Sequence, residues 1–160
     1  MSTKQEQYEA LLPQAEALLA GETDPVARMA NLAALIHTTF DFWWTGFYRV
    51  CPMGPNAAGS GTAEAEILLL GPFQGPVACT RIPYGKGVCG TAWKEARTVV
   101  VPDVELFPGH IACSSESRSE IVIPVIREGR VTAVLDIDSR YLNTFDEVDA
   151  RYLERLSALL

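Results

Sequence analysis

The sequence predicts an α+β domain, an antiparallel sheet carrying helices. Helical periodicity is confined to the two ends of the chain, and short β-type runs fill the middle. The turn chemistry between those runs suits hairpins rather than parallel crossovers. With 160 residues, 48% of them apolar, a single domain over residues 1–160 can bury its own core without covalent help.

The N-terminal helices are expected over 3–40. Tyr8, Leu11, Leu12, Ala15, Leu18 and Leu19 recur at helical spacing behind Ser2 or Thr3 paired with Gln5 or Glu6, a capping-box pattern. Gly21 ends that helix. Asp24-Pro25 then supplies an N-cap followed by proline at the first helical position, and Met29, Leu32, Leu35 and Ile36 carry the second helix. The sheet and its loops occupy 42–140. The aromatic-rich run from Trp43 to Val50 reads as a strand, residues 51–65 as a long, mobile hairpin loop rich in Gly, Pro and Ser, and Ile67 to Leu70 as the return strand. Gly85 to Gly90 is a glycine turn entering a short helix from Val88 to Ala96. Thr98 to Val101 is a brief strand, and 102–118 a long loop. Ser119 to Arg127 and Arg130 to Asp138 form a hairpin across Glu128-Gly129. Thr144-Phe145-Asp146-Glu147 reads as a capping box opening a final helix over 145–160, with Tyr152, Leu153, Leu156 and Leu160 on its apolar face.

Composition narrows the function classes. The first residues lack the apolar core of a secretory signal, and no window approaches the ~20 apolar residues of a membrane span. The expectation is a soluble cytoplasmic protein whose thiols are normally reduced. Net charge is −7 with no Lys/Arg cluster, so nucleic acid and anionic membranes have little electrostatic reason to bind.

Three of the four cysteines, Cys79, Cys89 and Cys113, fall within 35 residues. Their turn and loop positions, beside glycines and His110, favour reactivity over core filling, because turns lie at the surface where thiols react. Cys51, beside Pro52, looks incidental. Gly85-Lys86-Gly87-Val88-Cys89-Gly90 matches G-x-G-x-x-G, but it lies mid-chain without the βαβ unit a dinucleotide site needs, so it reads as a tight turn feeding a helix. The N–H groups at that helix start can hold an anion such as a ligand carboxylate, and the same field is expected to lower the Cys89 pKa. Cys79, Cys89, His110 and Cys113 also make a Cys3His zinc set. Its spacing is irregular, with no C-x2-C knuckle.

Acidic residues supply a second constellation. Asp136 and Asp138 stand two apart on a strand and share one face, and Glu120 opens the partner strand of the hairpin. Grouped carboxylates can hold a cationic amine, and their mutual repulsion can keep one protonated as an acid. Trp44 and Tyr48 can add an aromatic wall, against the ordinary reading of core packing.

Several motifs together resemble the free methionine-(R)-sulfoxide reductases, a single-domain GAF-fold family. They are Trp44-Thr45-Gly46-Phe47-Tyr48, the run from Leu70 to Cys79, Ile82-Pro83 with Gly85 to Ala92, Gly109 to Cys113, Ser119 to Val122, and Val134 to Ser139. The resemblance covers the chain from about residue 8 onward. The 51–65 loop is longer than the family pattern. The resemblance implies a six-stranded antiparallel sheet flanked by helices, and thiol-dependent reduction of free, not protein-bound, methionine-(R)-sulfoxide. It implies Cys113 as the attacking residue and Cys79 or Cys89 as the residue that resolves it, leaving open which one. It places Glu120, Asp136, Asp138, Trp44 and Tyr48 around the substrate, with no bound cofactor. A thioredoxin-type reductant is the implied electron donor, and a homodimer is compatible. The rival readings are a GAF module that senses a small ligand without chemistry, and a Cys/His zinc domain.

Overall fold

The computed structural model describes residues 1–54, 65–111, 113 and 115–160. The N-terminal helices are α1 (Lys4–Leu19) and α2 (Pro25–Phe40). The strands are β1 (Trp44–Pro52), β2 (Glu66–Gln74), β3 (Arg81–Ile82), β4 (Val99–Val101), β5 (Ser119–Arg127) and β6 (Arg130–Ser139). Helix α3 (Gly87–Glu95) lies between β3 and β4, and α4 (Glu147–Ser157) follows β6. The six strands form one sheet in the order β3-β2-β1-β6-β5-β4, and every pairing is antiparallel. The α+β expectation holds.

The expected N-terminal caps form. Thr3 and Glu6 make the reciprocal capping box of α1, and Asp24 accepts from the Ala27 N–H with Pro25 behind it. Glu128 and Gly129 both have positive φ, which gives the tight turn the β5–β6 hairpin needs.

Several boundaries differ from the sequence reading. Strand β1 runs on through Cys51 to Pro52 and β2 begins at Glu66, because Cys51 pairs with Ile67 and Pro52 with Glu66. Within the supposed 51–65 loop, residues 55–64 lie outside the described residues, and so does the mobility expected of them. Strand β2 extends past Leu70 to Gln74. Between the pairs Gly46–Phe73 and Tyr48–Leu70 it carries one residue more than β1, a bulge that accommodates Pro72, which has no N–H to give to a ladder. Strand β3 has only two residues, too few for any periodicity to show. The cap of α4 is Asp146 with Asp149, not Thr144 with Glu147; Thr144 instead donates its hydroxyl to Ser139 and so anchors the turn after β6. The α4 helix ends at Ser157, so Leu160 lies beyond it.

Side-chain parity on the strands divides the core in two. On one face, Phe47, Ile121, Ile123, Val125, Ala133, Leu135 and Ile137 pack against α1, α2 and α4. On the other, Trp44, Tyr48, Leu68, Val122 and Val134 pack against α3 and its flanking loops. Asp149 at the start of α4 ties the helical layer together. It is 1% exposed, accepts from the Tyr8 hydroxyl at 2.7 Å and from Lys4 at 2.5 Å, and so joins α4 to α1.

Candidate active site

The α3 face of the sheet holds a cleft lined by residues of β1, β5, β6 and α3. Sheet register builds its floor. Trp44 on β1, Asp138 on β6 and Glu120 on β5 are successive partners across three strands. One rung along, Asp136 stands between Gly46 and Val122. All five expected substrate-side residues, Trp44, Tyr48, Glu120, Asp136 and Asp138, line this one cleft.

The aromatic wall is both packed and exposed to the cleft. Trp44 is sandwiched between Tyr48 and Phe73, at ring-centroid distances of 5.9 and 5.3 Å. Gly46 makes that stack feasible, because a Cβ there would lie 2.4 Å from Phe73 Cβ and 2.5 Å from Trp44 Cη2. The wall also fixes the following segment. Trp44 Nε1 donates to the Pro76 carbonyl at 3.0 Å, and the Tyr48 hydroxyl donates to the Cys79 carbonyl at 2.9 Å.

Cys79 is disulfide-bonded to Cys113 with Cα atoms 5.6 Å apart. Cys113 is exposed and Cys79 half-buried, so the bridge sits at the cleft mouth. The bridge identifies Cys79, rather than Cys89, as the partner of Cys113. Cys89 is free and buried in the cleft floor, and Cys51 is a free, half-buried strand residue. Its placement corrects two expectations. Cys89 is not a surface thiol, and the helix start does not lower its pKa. Burial pushes the thiol well above its usual range, and the charges of Asp136, Glu120 and Asp138 push in the same direction. The Cys79, Cys89, His110 and Cys113 set is not a zinc tetrad either. Two of its sulfurs are joined to each other, and the third faces carboxylates.

Those carboxylates are electrostatically loaded. Burial raises Glu120 well above the carboxylate range, and the charges of Asp136 and Asp138 raise it further. Burial and then Asp136 raise Asp138 well above its usual value, against a hydrogen bond from the Ser117 hydroxyl at 2.7 Å. Burial also raises Asp136, although hydrogen bonds from Glu120 and Cys89 favour its charged form. Hydrogen bonds to Asp136 thus favour its charged form, whereas burial and both aspartates favour the protonated form of Glu120. One Asp136 oxygen, Oδ1, is buried without a hydrogen-bond partner, facing a cleft that calls for a cationic guest.

At the opposite wall, Gly90 packs so closely that a Cβ would lie 2.8 Å from the Pro83 carbonyl, which confirms the glycine turn as a structural device. Lys86 caps α3 without a side-chain hydrogen bond, and the first-turn residues Gly87, Val88 and Cys89 line the cleft. His110, Ile111 and Ser117 on the loop between β4 and β5 complete the lining, with His110 Nε2 3.7 Å from Glu120 Oε2. Ser117 carries no motif signal of its own, and its proximity to Cys113 along the chain is its sequence clue, whereas the rim residue Val77 lies within the Leu70 to Cys79 run.

Residues 42–160 match the model of the GAF domain family. The chain is 53% identical over 158 residues to GAF domain-containing protein A of Dictyostelium discoideum, covering 99% of this chain and 92% of that one. It is 42% identical over 158 residues to the free methionine-R-sulfoxide reductase of Escherichia coli, covering 98% and 88%. Among solved structures, it superposes with a TM-score of 0.89 at 49% identity on the free methionine-R-sulfoxide reductase of Neisseria meningitidis in complex with its substrate, covering 99% and 89%.

Proposed function

This chain belongs to the GAF-domain family of free methionine-R-sulfoxide reductases, and from that membership we propose that it reduces free L-methionine-(R)-sulfoxide to methionine by a thiol cycle. The observation that carries the reading is the Cys79–Cys113 bridge at the mouth of a cleft floored by Glu120, Asp136 and Asp138.

In the cycle, the Cys113 thiolate attacks the sulfoxide sulfur while Glu120, held protonated, gives its proton to the sulfoxide oxygen. The hydroxyl passes from the substrate sulfur to the Cys113 sulfur as the bond between the two sulfurs breaks, so methionine leaves reduced and Cys113 is oxidised to a sulfenic acid. The Cys79 thiol then attacks the Cys113 sulfur, water departs, and the disulfide forms. A dithiol protein such as thioredoxin reopens it by exchange. One sulfoxide and two thiols thus give methionine, one disulfide and one water. Dependence on such a donor fits a cytoplasmic setting and gives the exposed position of Cys113 a purpose. No bound cofactor enters the cycle. The single unit over 1–160 includes the N-terminal helices, and a homodimer is compatible with it.

The same floor accounts for selectivity toward the free amino acid. The substrate ammonium sits against Asp136 and Asp138, and its carboxylate on the N–H groups at the start of α3. Trp44 and Tyr48 hold the apolar end. A peptide-bound methionine sulfoxide has neither charged terminus and would leave buried polar groups unpaired. Discrimination on the order of 10⁴-fold is the expected scale for such a mismatch. A ligand sensor without chemistry gives the Cys79–Cys113 bridge no role.

The test is turnover of racemic methionine sulfoxide with a dithiol reductant. One epimer should be consumed to half of the total, Cys113→Ser should be inactive, and Cys79→Ser should complete one turnover and accumulate a sulfenic acid trappable by dimedone. Inertness of the wild-type protein toward both epimers would sink the reading.

A further inference from the structure

The thiol cycle uses Cys79 and Cys113 and leaves Cys89 without a task. A cage for an ammonium group needs oxygens, yet this floor also carries a sulfur. Cys89 Sγ, one oxygen of Glu120 and one of Asp136 all lie within 4.8 Å of one another. A second observation points to a guest at the same place. Asp136 is 6% exposed, lines the cleft, and keeps Oδ1 buried with no partner. His110 Nε2 lies 3.7 Å from Glu120 Oε2, outside the group itself. We propose that Cys89, Glu120 and Asp136 form a three-ligand binding site for a soft divalent cation, Zn2+ above all, in the substrate-free protein.

The donor chemistry selects the ion. A thiolate and two carboxylates in a compact group, with water as the fourth ligand, suit tetrahedral Zn2+ or Co2+. Mg2+ demands six oxygens at near-octahedral geometry and has no use for sulfur. Zinc ligands must be deprotonated, so binding releases the thiol proton of Cys89 and the carboxyl proton of Glu120, and affinity rises with pH. The ion would take the protonated acid from Glu120 and occupy the Asp136 oxygen that receives the substrate ammonium. Metal and substrate therefore exclude each other, and zinc acts as a reversible brake on the reductase. This consequence rests on the proposed function, whereas the site itself does not.

The test uses the full-length oxidised protein, in which Cys79 and Cys113 are bridged and only Cys51 and Cys89 remain as thiols. Titration with Co2+ is followed through the near-ultraviolet sulfur-to-cobalt charge-transfer band. The band should appear in the wild type and in Cys51→Ala, vanish in Cys89→Ser, collapse on adding Zn2+ and survive excess Mg2+. Glu120→Gln keeps the thiol in place, and should need about 10- to 100-fold more Co2+ for half the band. Absence of the band in the wild type, its persistence in Cys89→Ser, or an unchanged titration in Glu120→Gln would each overturn the site. L-Methionine added to the loaded protein should erase the band. If the band depends on Cys89 but methionine leaves it intact, the metal site stands and the ammonium placement fails.

Discussion

Glu120 holds its proton because burial and two neighbouring aspartates penalise its charged form. In the proposed cycle that proton serves as the acid, and holding it has a cost in stability. An unfolded carboxyl titrates near pH ~4, whereas Glu120, Asp136 and Asp138 are all raised in the fold. Between those values the native state binds more protons than the unfolded chain, so stability is lost as pH rises from about 4 through the folded pKa values. Glu120→Gln removes one of the ionisations. Thermal melts from pH 4 to 8 should show the variant at least as stable as wild type at neutral pH and with a shallower decline, while turnover is lost. Equal slopes for the two proteins would refute the assignment. Cys89 gives a second prediction at this scale. Since Cys113 is bridged to Cys79, Cys89→Ser should still form one intramolecular disulfide after exposure to methionine sulfoxide, as read by thiol counting under denaturing conditions. A disulfide lost in Cys89→Ser but formed in Cys79→Ser would reverse the pairing.

Among the elements, β1 is the one on which the site most depends. Its even-numbered side chains face the cleft, and Gly46 between Trp44 and Tyr48 leaves room for Trp44 to stack on Phe73. Gly46→Val would drive a side chain into the Trp44 ring and Phe73 Cβ, displacing Trp44 from Pro76 and slackening the segment that carries Cys79. The expected result is a KM increase accompanied by loss of intrinsic tryptophan fluorescence change on substrate binding. Wild-type kinetics for Gly46→Val would show that the stack does not position the site. At the other end of the chain, Asp146 accepts from the N–H groups of Val148 and Asp149 at the start of α4. Asp146→Ala should cost about 1 kcal/mol by denaturant unfolding, and leave turnover unchanged because α4 packs on the far face. Much of this level was readable in the sequence. Thr3 with Glu6, Asp24-Pro25 and Glu128-Gly129 act through neighbours in the chain, so their patterns predict their structures. The cap of α4 was misplaced because Thr144 and Asp146 both suit the role. The choice between them depends on Ser139, which takes the Thr144 hydroxyl, and on Lys4 and Tyr8 of α1, which hold Asp149.

The whole molecule separates stability from chemistry across the two faces of one sheet. The helical face is closed by α1, α2 and α4, while the α3 face carries Glu120, Asp136 and Asp138, with Trp44, Tyr48 and Cys89. Leu135, fully buried on the helical face, tests that separation. Leu135→Ala should lose about 2–5 kcal/mol of stability, measured by denaturant unfolding, with KM for methionine sulfoxide unchanged below the melting transition. A matching loss of substrate affinity would mean that the two faces are coupled. The sequence by itself determined the α+β class, the starts of α1 and α2, the main hairpin and the shared face of Asp136 and Asp138, because caps, turns and strand parity act over a few residues. Together with the family resemblance it also marked out the residues that line the cleft. Only the tertiary structure decided which cysteine meets Cys113, and that Cys89 belongs to the acid floor. Cysteine spacing does not encode distance between loops. The Cys79 segment is placed by Trp44 and Tyr48, and the α3 turn buries Cys89 beside strands that follow it by some thirty residues or more in the chain.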